Sequence, residues 1–267
     1  MITKTETIKN YNSIENDIKF IPKSLLRMEI INHLHETPSS MSEINNQRNI
    51  NYSAISTNIH YLDVNDYIIR KNDKYHLSNV MGNYLYNLKE LNEIINFIDD
   101  FFYFFHNHSI HGISDNSLLT INYLINSEII ENDDLNVYKS QDFIIATIKE
   151  AKFVNGILPF YQDDINDILK NLSKHNGLIN LLIPSNLEKN FNRTFNTCDT
   201  NLNFEFFDYN KIPHFLLIYT DKIMIWGLFK KDGSYDQNRL LSSKNTNALL
   251  WSENLFTEFK NKIKEFV

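Results

Sequence analysis

Three histidines crowd the short stretch HNHSIH, where His106, His108 and His111 fall at i, i+2 and i+5. Imidazoles this close can begin a transition-metal site. The spacing does not share one helical face, however, and no acidic or thiol residue adjoins, so a solvated junction after a helix is expected and no metal is assigned. The single cysteine, Cys198 in FNTCDTN, excludes an intrachain disulfide and a cysteine-rich zinc site, and no motif around it would make it a nucleophile. Phosphodiester cleavage of the phospholipase kind needs a histidine nucleophile with a lysine two residues on, and no H-x-K occurs. A Gly-rich phosphate loop and a G-x-S-x-G elbow are missing too. The sequence therefore supports no catalysis and implies no cofactor, which leaves recognition as the chemistry to look for.

Polar residues suited to recognition gather in NYSAISTNIHYLDVNDYIIRKNDKYHLS, residues 51–78. Ile55, Ile59 and Leu62 at i, i+4 and i+7 make a core stripe for a helix from about Ser53 to Asn65. Its outer face is then Ser53, Ser56, Thr57 and His60, with Tyr52 at the start, all short enough or flat enough to reach base edges. No Lys or Arg stands on this helix; Arg48, Arg70, Lys71 and Lys74 flank it, where phosphates would lie. A second candidate is WGLFKKDGSYD, where Trp226, Asp232, Tyr235 and Asp236 could rim a small-molecule pocket, aromatic walls with a few fixed polar groups being how such sites are built. The same residues also read as a strand and a tight turn.

The elements that must hold these groups follow from composition and period. A chain of 267 residues, 42% hydrophobic and 13% aromatic, can bury one or two cores. Its opening has no apolar signal core and no stretch reaches membrane-spanning length, so a cytoplasmic protein without a membrane partner is expected. Formal charges balance within residues 1–78, so the whole net charge of −7 falls on residues 79–267. A neutral N-terminal segment can still meet DNA, because the placement of a few cations governs steering more than their sum.

In SLLRMEIINHLHE, Leu25, Met28, Ile31 and Leu34 predict a helix stopped by Pro38; SSMSEINNQRN offers a second, with Ile44 inward. After the third helix, YIIRKNDKYHLS reads strand, turn at Asn72-Asp73, strand. Three helices and a hairpin make a winged helix-turn-helix over residues 20–78, behind an extension of residues 1–19. Tyr84, Leu88, Leu91, Ile95, Ile98, Phe102 and Phe105 then alternate spacings of four and three, a heptad seam on a linking helix over residues 79–106. The seam points to a homodimer; the extra apolar residues Ile94, Phe97, Phe101 and Phe104 point to packing within the chain. Over residues 107–267, FVNGILPF, LINLLIP, NFEFF, HFLLIYT and KIMIWGLFK read as strands, interleaved at first with helices and ending in ALLWSENLFTEFKNKIKEF. The fold class expected is α+β and α/β: a winged helix, a long linking helix and an α/β sensor-like domain with a mixed sheet.

The ordered set SLLRMEIINHLHETPSSMSEI, ISTNIHYLDVNDYIIRKNDKYHLS, HGIS, IIENDDLNVYKS, VNGILPF, IWGLFKKDGSYD and ALLWSENLF resembles the archaeal winged-helix regulators related to the Fil methanogenesis regulatory protein, from about residue 20 onward. The resemblance implies a transcriptional regulator with an output or sensor domain, arranged as in TrmB-type regulators, whose sensor is related to the phospholipase D fold without its catalytic motif. The missing H-x-K agrees with that. Two departures stand out: Asp66 occupies a turn position where such winged helices often carry Gly, and the reading helix is less basic than usual. Asp is among the residues that tolerate a left-handed turn. The reading is a homodimeric, sequence-specific regulator binding double-stranded DNA, with a small-molecule effector on the C-terminal domain. The competing readings are a protein-interaction adaptor that has lost DNA binding and an α/β enzyme with a winged-helix appendage.

Overall fold

The computed structural model describes residues 21–195 and 201–265; Cys198 and the extension of residues 1–19 lie outside them. The chain divides into two units between Asn92 and Glu93.

The first unit begins with α1 (Leu25–Glu36), whose start is capped by Ser24 accepting from the Arg27 amide. Its buried residues are Ile30, Ile31, His33 and Leu34, while Leu25 is 88% exposed. The expected stripe fails at Leu25 for a geometric reason. Steps of three residues fall back by about 60° each, so four such positions wind half-way round the helix and cannot all face one core. Helix α2 (Met41–Arg48) opens with a capping box, the Ser40 hydroxyl accepting from the Glu43 amide and the Glu43 carboxylate from the Ser40 amide, and buries Ile44. Helix α3 (Tyr52–Val64) buries Ile55, Ile59 and Leu62 as their spacing requires. Strands β1 (Ile68–Lys71) and β2 (Lys74–Leu77) form an antiparallel hairpin turned by Asn72 and Asp73, both at positive φ. Asp66 sits at φ 56, the left-handed conformation that its type tolerates. Tyr75 of β2 exchanges both backbone hydrogen bonds with Ser39, which pins the hairpin to the turn before α2.

Helix α4 (Asn79–Asp100) crosses the division between the units; Phe101 interrupts it and α5 (Phe102–Asn107) follows. Met81 and Leu85 are buried in the core of the first unit, and Phe97 in a core of the second.

The second unit is built on a seven-stranded sheet. Its strands are β4 (Glu128–Glu131), β5 (Phe153–Ile157), β6 (Leu178–Pro184), β7 (Leu202–Phe207), β8 (Leu216–Tyr219), β9 (Met224–Gly227) and β11 (Arg239–Ser243), in the order β4-β11-β9-β8-β5-β6-β7. β5, β6 and β7 are parallel; β8, β9, β11 and β4 alternate. Short β3 (His108–Ser109) pairs with β10 (Phe229–Lys230) beside the sheet. α7 (Lys139–Lys149), α8 (Asp163–Lys174) and α9 (Glu188–Thr194) carry residues of one core, with Ile165, Leu169 and Phe191 buried against Leu216 and Ile218. α10 (Thr246–Glu265) fills the other core with Trp251, Leu255 and Phe259 against Leu217 and Trp226. The mixed sheet thus has both faces covered, which is why its strands read as continuous apolar runs.

At Gly156 in β5 an added Cβ would lie 2.0 Å from the Leu217 carbonyl oxygen of β8, and backbone cannot yield as a side chain can. Gly156→Ala should therefore cost the second unit about 1 to 3 kcal/mol or more, read as a lower melting temperature by circular dichroism. An unchanged melt would show that the β5–β8 approach is looser than described.

Candidate functional site

Helix α3 presents two sharply different sides. Ile55, Asn58, Ile59 and Leu62 are buried, and Tyr52, Ser53, Ser56, Thr57, His60 and Tyr61 are exposed on the other side. Asn51 caps the start by accepting from the amide and hydroxyl of Ser53, and the Thr57 hydroxyl donates to the Ser53 carbonyl. Both hydroxyl oxygens keep lone pairs free to accept, and Ser56 and His60 extend the polar row. The exposed face carries no Lys or Arg; its one formal charge is Asp63, exposed in the last turn.

The flanking cations are mostly engaged. Arg70 pairs with Asp73 at 3.0 Å and Lys74 with Glu43 at 2.9 Å. Lys74 and the backbone and hydroxyl of Ser40 hold the Glu43 carboxyl well down, to about 2. Arg48 is the most committed: its terminal nitrogen donates to Glu36 at 2.6 Å and its Nε to His33 Nδ1 at 3.1 Å. Lys71 makes no ion pair among the described residues and stands exposed at the hairpin turn. Exposed pairs such as Arg70–Asp73 contribute little, about 0 to 1 kcal/mol, so an incoming phosphate can displace the carboxylate. Arg48 differs because it also completes a buried network.

In that network His33 Nδ1 accepts from Arg48, Nε2 donates to Ser39 Oγ at 2.9 Å, and Ser39 Oγ donates to the Thr37 carbonyl at 3.1 Å. These directions require a neutral imidazole. Sequence reasoning also missed Arg27. This residue of α1 donates to the Asn58 side chain at 3.2 Å and sets its guanidinium 5.9 Å from the Tyr61 ring centroid, which adds a cation beside the exposed face. Asn58, a polar residue on the core side of α3, was the signal available.

The WGLFKKDGSYD residues are neighbours in sequence and diverge in space. Trp226 is fully buried among Phe104, Phe105 and Trp251. Asp236 is buried and accepts from His108 Nε2 at 2.9 Å, while His108 Nδ1 donates to the Phe104 carbonyl. Asp232 is exposed, held by the Ser234 hydroxyl and amide, which lower its carboxyl pKa. Tyr235 packs on Phe160, its hydroxyl buried without a partner among the described residues, and burial raises its pKa. Tyr235 borders a cavity of about 430 Å³ with Phe160, Tyr161 and Gln162 after β5, while Asp232 and Asp236 border another of about 500 Å³ with Lys230 and Arg239. Sequence reasoning missed the first of these. A loop at the carboxyl end of a parallel strand is where ligand crevices form in α/β sheets, and that was the available signal. Of the three histidines of HNHSIH, His108 is buried and His106 and His111 are exposed; among the described residues no group of three His, Cys, Asp or Glu could hold a metal. No helix among them is long and apolar enough to cross a membrane.

The described residues thus form a three-helix and hairpin unit followed by an α/β unit. In comparisons with known proteins, residues 15–99 match the N-terminal domain of methanogenesis regulatory protein FilR1 and residues 137–262 match its middle domain. The chain belongs to that family. It is also similar to the solved structure of TrmBL2, described as an archaeal chromatin protein with a novel mode of DNA binding, at 12% identity over 90% of this chain and 93% of that one, with a TM-score of 0.39. No curated protein matches the chain.

The His33 network makes stability depend on pH. Burial first, then the neighbouring Arg48 charge, lowers the His33 pKa below its ordinary value of 6.5. The unfolded chain then binds a proton that the folded one resists, so this stability is whole above about pH 6.5 and falls as pH drops below it. Thermal unfolding of the first unit at pH 7.5 and 5.5 should show a larger loss for the wild type than for His33→Gln. Equal losses would remove His33 as the cause.

Proposed function

We propose that the chain is a homodimeric, sequence-specific DNA-binding transcriptional regulator. Its winged helix-turn-helix reads DNA with the exposed face of α3, and its α/β unit senses an effector or receives a partner. The observation that carries this reading is the uncharged, exposed row of Ser53, Ser56, Thr57 and His60 on a helix whose other side is anchored by Ile55, Ile59 and Leu62. Short hydroxyls and an imidazole can approach base edges, with Tyr52 at the helix start. Lys71, Arg70, Lys74 and Arg27 lie beside them for phosphates, and Arg48 serves the fold first.

The dimer is supported by α4. Tyr84, Leu91, Ile95 and Ile98 of the heptad seam are exposed, as is Phe102 at the start of α5, while Leu88 packs on the core of the first unit and Phe105 on a core of the second. At about 100° per residue the exposed residues of α4 form a stripe separate from buried Met81 and Leu85 and from buried Phe97. An apolar row of that length in water is the expected face of an interface between copies. One observation favours an adaptor instead: three of the four expected cations already have carboxylate partners. Salt-dependent binding to an operator recovered from the source genome by sequencing separates the two readings.

Thr57→Ala should relax sequence preference at about 1 to 3 kcal/mol for a good base contact. Lys71→Ala should weaken all sequences alike and reduce the salt slope by about one unit. Equal operator binding by the wild type and a Ser56, Thr57, His60 triple-alanine variant would sink the assignment of this face. Leu91→Lys with Ile98→Lys should give a folded monomer in sedimentation; a wild type already monomeric at micromolar concentration would remove the dimer.

A further inference from the structure

The cavity is bounded by the loop after β5, the first turns of α7, and the segment that leads into β11. Its walls carry no Lys, Arg, His, Asp or Glu. Phe160 and Tyr161 supply flat rings, and Val137 and Tyr138 stand exposed at 59% and 65% around it. The side-chain amides of Gln162 and Gln237 border it without a hydrogen-bond partner among the described residues. Each amide offers donors and an acceptor at once. Gln141, which also lines the cavity, donates to Asp164, and Asn136 donates to Asp142. An anion entering here would meet no Lys, Arg or His, only the amide ends of α7 and α8, whose N-caps Tyr138 and Gln162 line the cavity. A neutral molecule with an apolar face would cover the rings and satisfy the amides.

The same segment is tied to α5. Tyr235, Gln237 and Asn238 border the cavity, while Asp236 between them turns away to His108, which directly follows α5 and whose Nδ1 donates to the Phe104 carbonyl within that helix. The start of α7 holds the segment too, the Ser140 hydroxyl donating to the Gln237 carbonyl at 2.5 Å. A pull on Gln237 or Asn238 is thus a pull on Asp236, whose other oxygen accepts from the Asn238 amide at 3.1 Å and lies 3.6 Å from Lys230, and through it on buried His108.

We propose that this cavity binds an uncharged small molecule bearing several hydrogen-bond donors and acceptors around one flat apolar face, and that its occupant acts on α5 through Asp236 and His108. The inference deepens the effector-sensing part of the proposed function and rests on it for its meaning, though binding at the cavity is measurable without DNA. Calorimetry on the full chain would use two neutral probes, adenosine and phenyl β-glucoside, and two anionic ones, adenosine 5′-monophosphate and phenyl phosphate. At least one neutral probe should bind, its phosphorylated counterpart about tenfold more weakly, and Phe160→Ala and Gln237→Glu should each weaken it about tenfold. Gln237 is exposed, so that variant stays informative if Phe160→Ala fails to fold. Hydrogen exchange over residues 102–107 should slow about fivefold when the neutral probe is bound. Binding by neither neutral probe, tighter binding of the anions, or binding indifferent to Gln237→Glu overturns the site. Binding with unchanged exchange in α5 overturns the relay. Binding and slowed exchange in a protein that retains no operator would uphold the site and refute the DNA-reading proposal instead.

Discussion

Strand β8 is the constraint on which the second unit depends. All four of its residues are buried, and because side chains alternate along a strand, Leu216 and Ile218 enter one core while Leu217 and Tyr219 enter the other. The strand cannot slip by one residue without exchanging the two cores, so its register fixes both at once. β9 repeats the division, Ile225 to one side and Met224 and Trp226 to the other. Gly156 is the cost of bringing β5 close enough to pair with this strand. From that arrangement follow the position of the loop after β5 and therefore the cavity.

The same alternation explains what the sequence told and what it hid. Runs such as LINLLIP and HFLLIYT are legible because burial on both faces leaves few polar interruptions, Asn180 being the one within β6. β4 and β11 were missed: Glu128–Glu131 begins and ends on an exposed acid, and Arg239–Ser243 carries an arginine and two serines, so neither reads as an apolar run. Trp226, Asp232, Tyr235 and Asp236 are close in sequence, yet only Asp232 and Asp236 border the same cavity. Trp226 lies on a strand facing one core, and the turn at Asp232 sends Tyr235 and Asp236 in other directions. In the first unit the exposed row of α3 was readable, because a fixed apolar stripe at i, i+4 and i+7 decides what must face outward. The partners of Arg48 were not readable: Glu36 and His33 are twelve and fifteen residues away, and only the folded chain brings them to one point.

Pairing of the cations bears on how a reading face without Lys or Arg could serve a regulator. Non-specific attraction to DNA grows with the number of cations free to neutralise phosphates. Here Arg70, Lys74 and Arg48 each have a carboxylate alongside, so phosphates compete with an existing partner and the sequence-independent term is small. Discrimination depends on the ratio of specific to non-specific binding rather than on affinity alone. A weakly charged surface with polar base contacts raises that ratio while lowering the absolute affinity. Two linked copies would then be needed to restore affinity, since joining two weak readers multiplies their effect without new contacts. On the proposed function the lack of cations on α3 and the exposed seam residues of α4 would be complementary: a single copy would read too weakly to occupy a site, and the paired form would restore the affinity.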